Sequence, residues 1–87
     1  MDNVKNYEVR KSTRKDKKYM ARYKGDDGPF IHFGARGYEH YKDVTGLGLY
    51  SNYDHLDPER RRLFKLRHAK NIKRVGSPAW LSDKFLW

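Results

Sequence analysis

Apolar and polar positions alternate along the first part of this chain and take on helical spacing only near its end. Tyr19, Ala21 and Tyr23 alternate with Met20 and Arg22, which predicts a strand over residues 18–24 with one aromatic face. A second strand is predicted over residues 7–11, joined to the first by the polar loop Ser12-Thr13-Arg14-Lys15-Asp16-Lys17, which has hairpin length. Gly25-Asp26-Asp27-Gly28-Pro29 is a strong turn signal. The aromatic and β-branched run over residues 30–33 predicts a third strand, halted by Gly34. Three strands joined by two short turns imply an antiparallel meander, which needs a packed helix to be stable.

The helices announce themselves by their first residues. Asp57-Pro58-Glu59 combines a side-chain cap, a proline at the first helical position and an acid at the positive end of the dipole, and predicts a helix over residues 58–71. On a helical wheel Leu63, Phe64 and Leu66 share one side and predict its buried face. Arg61, Arg62, Lys65 and His68 fall largely opposite, as a basic stripe. Ser77-Pro78 repeats the capping pattern and predicts a shorter helix over residues 78–86. Its apolar residues lie nearly all round, so it is either wedged in the core or shared with another chain. Between Gly37 and Leu56 the chain reads as a long loop with one helical turn. The predicted fold class is α+β: a single domain over residues 1–87, with a small three-stranded antiparallel β-meander packed by one long and one short C-terminal α-helix.

Composition narrows the function more than the fold. A chain of 87 residues has a small core, burying about 60 to 65% of its unfolded surface. At 37% hydrophobic and 36% charged residues it needs its thirteen aromatic side chains to supply buried area. It has no cysteine, hence neither disulfides nor thiolate metal sites. No apolar run approaches the roughly 20 residues of a bilayer span, and no secretory leader is recognisable, so no membrane insertion and an intracellular location are expected. The net charge of +9 is segregated: +6 over residues 1–24, −5 over 25–59 and +8 over 60–87. Basic ends of this strength call for an anionic partner: nucleic acid, an acidic protein surface and an anionic membrane surface all qualify.

Candidate chemistry concentrates in those ends. Gly34-Ala35-Arg36-Gly37 matches the G-x-x-G loop with which KH domains approach phosphates, although there the loop joins two helices. The anion-binding candidates are Arg36, the helix stripe of Arg61, Arg62, Lys65 and His68, and Lys15 and Lys17 in the first hairpin; Arg60, Arg67, Lys70, Lys73 and Arg74 extend the helix cluster, and Lys11, Arg14 and Lys18 the hairpin group. Trp80, Phe85 and Trp87 are the candidate partner anchors, since aromatic side chains dominate protein interfaces. His32, His40, His55 and His68 lack the spacing of known metal sites, so neither metal nor cofactor is expected. With no nucleophile motif or P-loop, no catalytic residue is assigned and a non-enzymatic role is expected. A metal-dependent nuclease using Glu39 or Asp54 is the remaining enzymatic alternative.

His32-Phe33-Gly34-Ala35-Arg36-Gly37-Tyr38, Asp57-Pro58-Glu59-Arg60 leading to Arg67-His68, and the end at Trp80 and Trp87 together resemble a family of small uncharacterised basic proteins of nucleocytoplasmic large DNA viruses. Arg36 stands where that family commonly has lysine, and residues 44–53 look like an insertion. The resemblance implies a viral origin and a place in the virion, and it brings no catalytic residues. The expectation is therefore a minor capsid-associated structural protein, able to form oligomers or larger assemblies, that binds acidic capsid-protein surfaces or packaged DNA. The alternative is a nucleic-acid-binding protein active during infection, working through the basic helix face and the G-x-x-G loop.

Overall fold

The chain was analysed as a computed structural model that describes residues 4–87. Three strands, β1 (Tyr7–Lys11), β2 (Lys17–Tyr23) and β3 (Ile31–Ala35), form one antiparallel sheet in the order β1-β2-β3. Tyr7 lies opposite Tyr23 in the first ladder; in the second, Tyr19 lies opposite Phe33 and Lys17 opposite Ala35. The alternation in β2 sets the core: Tyr19 and Ala21 are fully buried with Phe33, while Tyr23 is 51% exposed. Its packing partner is Tyr7, met edge-on at 5.4 Å. β3 continues through Gly34 to Ala35, where the sequence predicts a stop at Phe33. Glycine allows this because the strand passes Gly34 at a φ of +79°.

The sheet is covered by α2 (Pro78–Phe85). Ser77 caps it by accepting the Trp80 N–H, with Pro78 in the first turn. Trp80, Leu81, Phe85 and the following Leu86 are all buried, and Phe85 meets Phe33 at 5.8 Å between ring centres. A helix that is apolar nearly all round is here the wedge of its own core. Trp80 and Phe85 are thus enclosed, which corrects their reading as anchors for a partner. No helix among the described residues is long and apolar enough to cross a membrane.

The other helix, α1 (Pro58–Arg67), has 10 residues against 8 for α2, so a long and a short helix are not distinguished. Asp57 caps it through the Glu59 and Arg60 N–H groups, a contribution of about 1 kcal/mol. At His68 the backbone leaves the helix, and residues 68–74 follow as turns instead of continuing it. α1 is also rotated from the expected orientation. Phe64 alone is buried, whereas Leu63 is 44% and Leu66 60% exposed. What faces the domain is Phe64 flanked by cations: Phe64 stacks on Trp87 at 4.4 Å with planes 3° apart, and Lys65 donates to the buried Asp83 at 2.6 Å. Arg61 lies over the Tyr41 ring at 4.8 Å and donates to the Trp87 carbonyl at 2.6 Å. The surface that receives α1 offers a carboxylate, a carbonyl and ring faces, and such a surface takes cations better than leucines.

Candidate anion-binding cleft

Much of the predicted basic stripe is consumed inside the molecule. Arg61 and Lys65 are engaged as described, and Arg62 pairs with Glu59 one turn earlier at 2.5 Å. His68 packs its ring on Phe64 at 4.5 Å. Trp87, expected to grip a partner, instead joins α1 to the domain, with Phe64 stacked on it and His55 5.1 Å away. The G-x-x-G segment does not form a phosphate cradle: Gly34 belongs to β3, and the Arg36 N–H is taken by the Asp16 carbonyl at 3.0 Å. The side chains of Arg36, Lys15 and Lys17 make no ion pair among the described residues, nor do Lys11, Arg67 and Lys70. Lys73 and Arg74 extend the second group and are exposed.

Of these free cations Arg67 lines a cleft, and Lys17 pairs with a residue of its wall. The cleft encloses about 270 Å³ between the end of β3, the segment from Tyr38 to His40, α1 and the Leu86-Trp87 tail. Ala35, which pairs with Lys17, lines one wall; Arg60, Arg67 and His68 line the other. Lys18 also lines it, and a buried lysine is what the alternating pattern gives no warning of. Its ammonium, 1% exposed, donates to the Tyr38 carbonyl at 2.5 Å and to His40 Nδ1 at 2.7 Å. Gly34 lets it lie there: a Cβ at Gly34 would sit 3.3 Å from Lys18 Cβ and 2.8 Å from Leu86 Cδ1.

Behind Lys18 runs a connected polar network. His40 Nε2 donates to Asp54 Oδ1 at 2.6 Å, which fixes the tautomer that leaves Nδ1 free to accept from Lys18. Asp54 Oδ1 also accepts the Asp43 N–H at 2.8 Å, while Asp43 accepts from the Tyr19 hydroxyl, from Thr45 and from the Tyr50 N–H. Burial pulls Lys18 down to about 8 against the opposing pull of Asp43 and Asp54, so it is still an ammonium at neutral pH. Burial and the neighbouring Lys18 charge also hold His40 below the ordinary histidine value. Burial pushes the Tyr19 phenol up to about 12, reinforced by its bond to Asp43. Burial alone would raise Asp43, but the hydrogen bonds it accepts from Thr45 and Tyr19 keep it below the usual carboxylate value.

The cleft therefore gathers positive charge: Arg67 makes no ion pair among the described residues, Lys18 is buried behind the wall with Asp43 and Asp54 as its nearest opposing charges, and Arg60 is held by Glu39 at 2.9 Å on the rim. A surplus of positive over negative charge in a concave, partly apolar wall is the arrangement that concentrates anions. Among the described residues no group of three histidine, aspartate or glutamate side chains gathers as a metal site requires. Sequence reasoning identified the flanking Lys15, Lys17 and Arg36 and the lining His68. It also groups Lys18 with the hairpin cations and Arg60 and Arg67 with the helix cations, but nothing in the spacing brings the three together in the lining of one cleft.

A family model described as a family of unknown function (DUF5754) matches residues 7–43. The match takes in the sheet and the segment carrying Tyr38, His40 and Asp43, and it stops short of both α-helices. No curated protein and no solved structure matches the chain.

Proposed function

We propose that this protein is a non-enzymatic binding module for the phosphate backbone of nucleic acid. The observation that carries the reading is the placement of the unpaired cations. Lys17 pairs with Ala35 of the cleft wall, with Lys15 and Arg36 close to it in sequence, and Arg67 lines the cleft ahead of Lys70, Lys73 and Arg74 in the chain. Cations that pair with the chain's own carboxylates serve folding; those left over are exposed apart from the half-buried Lys17, which suits contact with a polyanion. The helix face named by the sequence is replaced in this role by the residues around the cleft.

Titration of the full chain against a 20-base duplex and a single strand at 0.05 and 0.2 M salt tests it. With about five phosphates neutralised, the logarithm of affinity falls with a slope of about −4 to −5 on duplex. Changing Lys15, Lys17 and Arg36 together to alanine reduces that slope by about 2 to 3. Undetectable binding at 0.05 M salt, or a slope shallower than about −1, would sink the proposal.

A second reading is a minor structural component of a large DNA virus particle that meets acidic capsid-protein surfaces. It draws on the resemblance to the giant-virus family and on Leu63 and Leu66, exposed between Arg62 and Arg67. Mass spectrometry of purified particles then finds the protein at hundreds of copies, and its absence rules this reading out.

A further inference from the structure

We infer that the cleft is a subsite for a single phosphate group, bound by Arg67 in front of the buried Lys18 charge, with Glu39 as the resident carboxylate that gives up Arg60 to it. The proposal rests on the nucleic-acid reading for the origin of the phosphate, but its structural basis is separate. The free cations outside the cleft form open surface, whereas this is a concavity with a lysine in its wall. Its volume of about 270 Å³ lies just below the roughly 300 to 1,000 Å³ usual for small-molecule pockets. That suits one phosphate and its ester and excludes a duplex.

Three features of the lining point to an anion of this kind. Lys18 is an ammonium bonded to Tyr38 and His40 and 1% exposed, so it contributes positive charge from behind the wall instead of a direct contact. Its nearest further neighbour is the Tyr53 ring, 5.4 Å away. Arg67 is exposed, makes no ion pair among the described residues and offers the planar fork that matches phosphate oxygens. The one carboxylate side chain in the lining, Glu39, is kept below its usual value first by its hydrogen bond from Arg60 and then by that charge. Its side chain is 55% exposed and that of Arg60 46%, so their pairing is readily exchanged for a stronger, doubly charged partner. Glu39 thus occupies in cis the place an incoming phosphate would take, and it sets a threshold that weak anions such as chloride do not pass.

The substitution Glu39→Gln separates this arrangement from a merely basic surface. It removes the competing charge and frees Arg60 while leaving an exposed side chain of the same size, so the fold is retained. Inorganic pyrophosphate, titrated into the full chain with backbone amide shifts followed by NMR, moves the amides of residues 34–40 and 67–68. Glu39→Gln tightens pyrophosphate binding about 3- to 10-fold, and Arg67→Ala weakens it about tenfold. Shifts confined to residues 11–17 and 70–74, or an unchanged affinity in Glu39→Gln, overturn the inference. A single-stranded oligonucleotide with and without a 5′-phosphate forms the second arm. If the oligonucleotide binds without moving the cleft amides, the subsite is wrong and the nucleic-acid reading stands. If pyrophosphate occupies the cleft but no oligonucleotide binds, the subsite stands and the phosphate comes from a small molecule.

Discussion

The unfolding midpoint rises as pH is raised from about 8 to about 10, then falls. Lys18 has a value of about 8 in the folded protein against 10.5 for an ordinary lysine. Between those values the unfolded chain holds a proton that the native chain has shed, so raising the pH favours the native state. The full difference is worth about 3 kcal/mol, or roughly 10 to 20 °C in a domain of this size. Tyr19 works in the other direction. Its phenol keeps its proton to about 12, whereas an unfolded tyrosine loses it from 10 upward, so stability declines above that point. On the acid side His40 and His55 both sit below 6.5, chiefly through burial, and protonating them favours unfolding as pH falls below that value. Differential scanning fluorimetry across pH 5 to 11 reads the profile. Lys18→Met flattens the rise between about 8 and 10, and an identical rise in that variant would show that the other lysines cause it.

Gly34→Ala is expected to destabilise the protein by about 2 to 4 kcal/mol. Two costs add there. An alanine at a φ of +79° is strained by about 1 to 2 kcal/mol, and the new Cβ lands 2.8 Å from Leu86 Cδ1 in a core where Leu86 is 1% exposed. Leu86 cannot swing away without disturbing α2, nor can Lys18, whose Cβ is 3.3 Å from the same point, without losing its bonds. Gly37 provides the contrast within the same motif: its φ is +91°, but a Cβ there meets nothing within 4 Å, so Gly37→Ala loses only the backbone part, about 1 kcal/mol. Urea unfolding of the two variants checks the ordering. Equal losses would mean that packing against Leu86 plays no part.

How far the sequence could be read depended on whether the relevant physics was local. The caps at Asp57-Pro58 and Ser77-Pro78 were legible because a side chain satisfies amides two or three residues away. The meander was legible because Tyr19 and Ala21 alternate and the glycine-rich turn separates β2 from β3. The orientation of α1 was not legible. A wheel assumes an apolar partner, and here the partner supplies Asp83, the Trp87 carbonyl and two aromatic faces. Nor was the cleft, since Lys18 reads as an ordinary solvent-side position in β2. Only the return of the segment from Tyr38 to His40 over that strand encloses it. The G-x-x-G motif failed for a related reason: its first glycine answers a crowding problem posed by Leu86, 52 residues further along the chain.

The stacking of a single indole on Phe64 has a mechanical consequence. Because α1 turns Leu63 and Leu66 outward, it is fastened at a few points, Trp87, Asp83 and Tyr41, whereas α2 is embedded along its length. The molecule is thus built as a stiff sheet-and-wedge body with a lightly riveted arm, and the space between the two is as wide as those rivets allow.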